Sequence, residues 1–163
     1  MTQAPEALAK TLGYRFDDLT LLQRALTHRS SGKHNNERLE FLGDALLGCV
    51  IAAEIYRLHP RAREGELSRL RASLVRRESL AEVAQSLDIG SYLRLGAGER
   101  KSGGHHRNSI LADCLEAVFG AIYLDGGFET CRDCILKLFA DKLSHPTDLS
   151  ELKDPKTLSL IHI

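Results

Sequence analysis

Apolar residues recur at helical spacing along most of this chain of 163 residues, and the stretch 35–47 shows the pattern most clearly. Three leucines at i, i+3 and i+7 share one helix face there: Leu39, Leu42 and Leu46. Residues 92–95 are the only strand-like fragment, and four residues cannot build a sheet. The periodicity therefore predicts an all-α fold, a helical bundle in one domain of typical length.

A row of acidic residues runs beside this leucine face. Its members are Glu37, Glu40 and Asp44, again at i, i+3 and i+7. Like charges three and four residues apart on a helix repel one another. A chain that keeps three acids in a row next to an apolar face accepts that cost, which favours a cation-binding role.

A second apolar helical stretch, residues 109–119, carries two acids, Asp113 and Glu116. If the two stretches pack together, four carboxylates converge: Glu40, Asp44, Asp113 and Glu116. That many acids in an apolar setting cannot all ionise without compensation. Ligands made only of oxygen suit Mg²⁺ or Mn²⁺ rather than zinc. The alternative is that each acidic group is simply a solvated helix face.

Composition indicates a water-soluble protein in the cytoplasm. The 22 basic and 22 acidic side chains cancel, which argues against binding nucleic acid through overall charge but allows a local basic groove. The chain shows neither a membrane-spanning apolar run nor a signal peptide. Cys49 and Cys114 are expected in the core, and the lone CxxC of Cys131 and Cys134 is expected to be structural.

Helix signals divide the rest of the chain. Helices are expected over residues 4–12, 19–26, 35–58, 67–74, 80–87, 109–126 and 128–143. Asp17 or Asp18 is the expected cap of the second, and Asn108 or Ser109 that of the sixth. The glycine-rich segment 88–104 is expected to be a mobile basic loop. The arginine-rich edge that includes Arg69 could bind phosphate or could be ordinary solvated surface.

Four segments together resemble the ribonuclease III family. Residues 36–44, Asn-Glu-Arg-Leu-Glu-Phe-Leu-Gly-Asp, match its long signature motif. Residues 64–72, 95–104 and 110–117 resemble later family segments in the right order. The likeness covers roughly residues 5–157 and is strongest to the bacterial class with one nuclease domain.

The resemblance implies the family's nuclease fold and a Mg²⁺-dependent endoribonuclease for double-stranded RNA, with Mn²⁺ able to substitute. Cleavage would leave 5′-phosphate and 3′-hydroxyl ends with short 3′ overhangs, in the processing of ribosomal, messenger and other RNA precursors. The implied site residues are the metal ligands Glu40, Asp44, Asp113 and Glu116, with Asp44 and Glu116 also catalytic; the auxiliary groove acids Glu37 and Glu64; and the RNA contacts Arg69, Lys101 and Arg107. The resemblance also implies a homodimer, with Phe41 as the aromatic anchor that fills a cavity on the partner.

The domain boundary is expected near residue 147. Residues 148–163 then form a linker remnant and a tail, in place of the double-stranded-RNA-binding domain that follows in bacterial family members. Without that domain, RNA affinity should be lower. Two other functions remain open. One is a dimeric module that binds RNA without cutting it, which the presence of all four acids disfavours. The other is an all-α nucleotide pyrophosphohydrolase, which also gathers acids around Mg²⁺.

Overall fold

The structure is a computed structural model, and it describes residues 2–145. Nine α-helices and no strand lie within that range, so the predicted all-α fold is confirmed. The helices are α1 (Pro5–Leu12), α2 (Leu19–Ala25), α3 (Glu37–Leu58), α4 (Glu64–Val75), α5 (Arg77–Ser86), α6 (Ala97–Lys101), α7 (Asn108–Gly126), α8 (Phe128–Leu138) and α9 (Ala140–Ser144). The predicted tail at 148–163 lies outside the described residues.

Helix α7 forms the centre of the bundle. It is apolar on nearly all sides, and most of its side chains between Ile110 and Ile122 are buried. Helices α2, α3, α5 and α8 pack around it, with α3 making the longest contact. A helix that is hydrophobic all round is stable only when other helices cover it. The described helices include none that is both long and apolar enough to cross a lipid bilayer.

One of the two predicted helix caps is observed. Asp18 caps α2 by accepting a hydrogen bond from the Thr20 N–H at 3.0 Å. The predicted cap of α7 is wrong: α7 already includes Asn108, and the residue before it is Arg107. The Asn108 side chain instead accepts a hydrogen bond from Gln85 at 3.3 Å, so it joins α7 to α5.

Two segments differ from the expected helix pattern. The expected last helix, 128–143, is interrupted at Phe139, where the chain leaves the α conformation and the ring is fully buried near Phe119. The segment 88–104 is not a simple loop, because it contains a short 3-10 helix at Ile89–Tyr92 and the α6 turn. Residues 92–95 form no strand; Arg94 makes only an isolated bridge to Thr27.

The cysteines divide into three buried residues and one exposed residue. Cys114, Cys131 and Cys134 are buried free thiols, as expected for structural cysteines. Cys49 was expected in the core, but it is exposed. The buried face of α3 runs through Leu46, Val50 and their neighbours, and Cys49 points to the opposite side of that helix.

Candidate metal centre

Two glycines allow α3 and α7 to cross at backbone contact. A Cβ atom at Gly43 would lie 1.6 Å from the carbonyl oxygen of Glu116, and one at Gly120 would lie 2.5 Å from that of Leu39. Neither position can therefore carry a side chain without separating the helices. The close crossing brings the acidic residues of α3 directly against those of α7.

Four carboxylates meet at this crossing. Oxygen atoms of Glu40, Asp113 and Glu116 all lie within 4.8 Å of one another. Asp44 joins them through a hydrogen bond with Glu116, and Glu40 makes a similar bond with Asp113. We call Glu40, Asp44, Asp113 and Glu116 the carboxylate cluster. Glu40 and Glu116 are partly buried, while Asp44 and Asp113 reach solvent.

The cluster is electrostatically strained when no cation is bound. Burial, the hydrogen bond with Asp44 and the neighbouring carboxylates raise the pKa of Glu116 to about 9. Burial and the charges of Asp113, Glu37 and Asp44 raise the pKa of Glu40 to about 7. The pKa of Asp113 is also raised by burial, although Arg77 and the hydrogen bond with Glu40 act in the opposite direction. At neutral pH the cluster therefore retains protons that acids in water would have lost.

The donor set fits a hard divalent cation. All four side chains offer oxygen atoms, and the group contains no histidine or cysteine, so Mg²⁺ and Mn²⁺ suit it better than zinc. The hydrogen bonds between acids support the same assignment, because a bound cation would replace the shared protons as the source of positive charge. Each helix supplies two of the ligands, so the cation would also join α3 to α7.

A polar cavity of about 280 Å³ opens beside the cluster. Its walls include Glu40 and Asp113, together with the auxiliary acid Glu37. Glu37 is exposed and lies 4.0 Å from the Arg29 guanidinium, at the limit of an ion pair. Its charge contributes to the raised pKa of Glu40. Within one chain, Glu37 is therefore a neighbour of the cluster rather than a member of it.

The second predicted auxiliary acid lies elsewhere in the chain. Glu64 begins α4 and lines a separate, mostly apolar cavity of about 550 Å³ together with Tyr56 and Leu67. That cavity shares no residue with the polar one beside the cluster. The structure therefore does not bring Glu64 to the carboxylate cluster within a single chain.

The predicted RNA contacts differ in their distance from the cluster. Arg107 lines the polar cavity and forms a short ion pair with Glu99. Lys101, at the end of α6, and Arg69, on α4, are exposed and line neither of the two cavities described above. Phe41, the predicted dimer anchor, is 80% exposed on α3.

Three basic residues near the cluster were missed as site residues. His28 and Arg29 line the polar cavity, and the charges of Arg77, His28 and Arg29 each act on Asp113. His28 and Arg29 lie between the helices expected over 19–26 and 35–58, where no periodicity shows the direction of a side chain. Arg77 lies between the helices expected over 67–74 and 80–87, and its position at the start of α5 brings it close to α7.

Known proteins resemble this chain over nearly its whole length. Residues 18–143 match the family model described as Ribonuclease-III-like. Ribonuclease 3 of Nitrosococcus oceani is 58% identical over 96% of this chain and 68% of its own length. Ribonuclease 3 of Coxiella burnetii is 56% identical over 93% of this chain and 65% of its own length. The chain thus spans about two thirds of each relative.

Solved structures agree with these relatives. The nuclease domain of ribonuclease III from Campylobacter jejuni, described for flexibility in a region involved in dimer formation, superposes with a TM-score of 0.82 at 45% identity. That match covers 83% of this chain and 95% of the other. Dicer from Pichia stipitis superposes with a TM-score of 0.62 at 30% identity, over 80% of this chain and 57% of that structure.

Proposed function

This chain belongs to the ribonuclease III family, and from that premise we propose that it is an endoribonuclease that cuts double-stranded RNA with the help of Mg²⁺. The observation that carries the proposal is the carboxylate cluster at the crossing of α3 and α7. Mn²⁺ should substitute for Mg²⁺, because it accepts the same oxygen ligands. The natural substrates would be ribosomal, messenger and other RNA precursors in the cytoplasm.

In this proposal Glu40, Asp44, Asp113 and Glu116 hold the divalent cation, and Asp44 and Glu116 are the acids on which cleavage depends most. A divalent cation at such a site supplies Lewis-acid charge at a phosphodiester and makes a water molecule a better nucleophile at neutral pH. The carboxylates fix the position of that charge, and the basic rim of Arg29 and Arg77 offsets part of the repulsion between the acids and RNA phosphates. The expected products carry 5′-phosphate and 3′-hydroxyl ends.

We also propose that the active form is a homodimer anchored by Phe41. The support lies on α3: Phe41 is 80% exposed, and the apolar cavity beside Tyr56 lies near the other end of the same helix. Phe41 and Tyr56 are separated by fifteen helical steps, which span about 22 Å, so Phe41 cannot fill the cavity of its own chain. In an isologous pair each Phe41 would enter the partner's cavity, which is lined by Ala52, Ile55, Ala62 and Leu67 among others.

Such a pairing would give Glu64 and Glu37 a shared role. Glu64 lines the cavity that would receive the partner's Phe41, and Glu37 lies one helical turn before Phe41. The dimer would therefore bring Glu64 of one chain towards the cleft of the other. Two cleavage sites related by the dimer axis would cut both strands and produce the short 3′ overhangs. The proposed nuclease domain extends over residues 1–147.

The first experiment is digestion of a plain RNA duplex with the wild-type chain. Duplex RNA is incubated with Mg²⁺, Mn²⁺, Ca²⁺ or EDTA, and the product ends are mapped. We expect cleavage with Mg²⁺ and Mn²⁺, 5′-phosphate ends and paired overhangs. Asp44→Asn should abolish cleavage while its far-UV circular dichroism stays unchanged. Cleavage in EDTA, or undiminished cleavage by Asp44→Asn, would disprove the metal-dependent mechanism.

The dimer is tested separately by sedimentation velocity of Phe41→Ala. We expect the wild-type chain to sediment as a dimer and Phe41→Ala as a monomer or a much weaker dimer. Phe128→Ala is the matched control, because Phe128 is also an exposed aromatic residue (41%) but begins α8 rather than lying on α3. A Phe41→Ala chain that dimerises like the wild type would remove Phe41 from the interface.

A further inference from the structure

His28 lies in the wall of the polar cavity beside the carboxylate cluster. The same cavity is lined by Arg29, Glu40 and Asp113. The ring is therefore close to the position where a phosphodiester held by the proposed metal centre would lie. The mechanism proposed above gives His28 no role, and residue 28 lies outside the helices expected from the sequence.

Hydrogen bonds to one ring nitrogen, Nδ1, fix the position and the tautomer of the His28 imidazole. The Ser30 N–H donates a hydrogen bond to Nδ1 at 3.1 Å, and the Ser30 hydroxyl lies 2.8 Å from the same atom. The hydroxyl oxygen itself accepts a hydrogen bond from the Gly96 N–H at 2.9 Å, so its proton is directed at Nδ1. Because Nδ1 acts as an acceptor, the ring proton resides on Nε2.

The second ring nitrogen, Nε2, makes no hydrogen bond within the part of the chain that the structure describes. No residue in the range 2–145 accepts a hydrogen bond from Nε2–H, although the ring is near enough to Asp113 to act on the pKa of that acid. A donor held rigidly in the wall of a cavity, beside acids that would bind a cation, is suited to an anionic oxygen of the substrate.

We infer that His28 Nε2–H donates a hydrogen bond to a non-bridging phosphate oxygen of the RNA strand held at the carboxylate cluster. This inference rests on the proposed function, because it needs a duplex in the cleft. Arg29, beside His28 in the same wall, would place a positive charge next to the same phosphate. Ser30 acts as a positioning residue, since it holds the ring through Nδ1 without reaching the cavity itself.

A purely structural role for His28 makes a different prediction. The Nδ1 atom also caps the short 3-10 turn Arg29–Ser31, and a histidine could be present for that reason alone. Asparagine at this position keeps an acceptor near Nδ1 but loses the distal donor. Glutamine places an N–H donor near Nε2 but loses the cap. The two substitutions therefore separate the roles.

The experiment measures the Kd of a fluorescent RNA duplex by anisotropy with Ca²⁺, for His28→Asn and His28→Gln in a Glu116→Gln background. We expect His28→Asn to weaken binding about tenfold, the size of one lost hydrogen bond to a charged group. His28→Gln should bind within about threefold of its parent. In chains with Glu116 restored, His28→Asn should raise KM with little change in kcat. His34→Asn, an exposed histidine outside the cavity, is the control and should have no effect.

Any other pattern overturns the inference. If His28→Asn binds like its parent, the distal donor is not used; if both variants weaken binding equally, only the cap or the ring shape matters. Thermal unfolding of each variant verifies that the chain is folded at the assay temperature. If the parent chain neither binds nor cuts duplex RNA, the proposed function fails and the inference falls with it, whereas a defect confined to these variants concerns His28 alone.

Discussion

Acidic side chains on the two halves of α7 meet opposite surroundings. Asp113 and Glu116, in the first half, face other carboxylates. Asp125, next to the end of the helix, accepts three hydrogen bonds: from the Tyr14 hydroxyl at 2.5 Å and from the backbone N–H groups of Asp17 at 2.8 Å and Asp18 at 2.9 Å. Burial acts to raise the pKa of Asp125, but these hydrogen bonds outweigh it and lower the pKa. In contrast, the pKa of Glu116 rises to about 9.

The difference shows how a structural acid can be distinguished from a binding acid. The negative end of the helix dipole disfavours a carboxylate at Asp125, so the donors must also overcome that effect. The donors belong to the protein itself, and their hydrogen bonds tie the end of α7 to the segment 14–18. Within the described residues no protein donor hydrogen-bonds the carboxylate cluster as these groups bond Asp125, and the charges of Arg77, His28 and Arg29 offset the acids only in part. The remaining positive charge must come from protons or from a cation.

The largest expected effect is on cleavage. Glu116→Gln should reduce the initial rate of duplex cleavage by about 10³-fold or more, because it removes a ligand whose electrostatic role is worth several kcal/mol. Asp125→Asn on the same helix should cleave at close to the wild-type rate below its melting temperature, since the hydrogen bonds of Asp125 go to the segment 14–18. Rates within tenfold of each other for the two variants would contradict the distinction between the two acids.

The next effect concerns the helix crossing that creates the cluster. Gly43→Ala should lower the free energy of unfolding by about 3 kcal/mol or more, because the new Cβ meets the Glu116 backbone, which cannot move aside as a side chain could. Gly48→Ala on the same helix is the control: a Cβ there meets no atom within 4 Å, so we expect a gain of about 0.5–1 kcal/mol from helix propensity. Urea unfolding of both variants measures the difference. Equal stabilities would show that α3 and α7 are not in backbone contact.

The sequence predicted the acids at this crossing because periodicity carries the information. Glu40 and Asp44 on one helix, and Asp113 and Glu116 on another, follow the same 3.6-residue repeat as the leucines. Their convergence then needed only that the two helices pack together. Nothing in this periodicity distinguishes Gly43, although it determines how closely α3 and α7 approach.

The other residues of the site could not be predicted from the helical periodicity of the sequence. His28 and Arg29 stand in an irregular segment, whose direction depends on hydrogen bonds to residues 94–96, far along the chain. Asp125 was not singled out, since a lone acid near a helix end reveals nothing about donors more than 100 residues earlier. Cys49 was wrongly expected in the core because α3 carries small apolar residues on both faces, so the sequence pattern does not show which face is buried.

A smaller effect is expected on the pH dependence of stability in metal-free buffer, where the carboxylate cluster and Asp125 should act in opposite directions. Folded Glu40 and Glu116 bind protons up to a pH of about 7 and about 9, whereas unfolded glutamates release theirs near their ordinary value of 4.5. The folded state thus binds more protons over that range, so stability should fall as pH rises from about 5 to about 9. Asp125 behaves oppositely: its lowered pKa gives stability above the ordinary aspartate pKa, and this is lost as pH falls through the folded value.

Thermal unfolding in EDTA between pH 5 and pH 9 measures this difference. The loss of stability towards pH 9 should be shallower for Glu116→Gln than for the wild type. For Asp125→Asn the slope of that loss should be the same as in the wild type. Mg²⁺ at ten times its Kd should restore about 1.4 kcal/mol at pH 8 in the wild type and in Asp125→Asn. Parallel pH profiles for Glu116→Gln and the wild type would show that the cluster does not retain protons.

The smallest effect comes from the donors of Asp125. Tyr14→Phe removes one hydroxyl but keeps the ring, which packs edge-on against Phe16 at 4.9 Å, so the loss is confined to the hydrogen bond. We expect a cost of about 1 kcal/mol in urea unfolding at pH 7 and an unchanged cleavage rate. Because the pKa of Asp125 should then rise towards its ordinary value, the acid limb of the stability profile should move to higher pH. A Tyr14→Phe chain that loses cleavage while remaining folded would mean that the two ends of α7 are coupled, and that Asp125 serves the site as well as the fold.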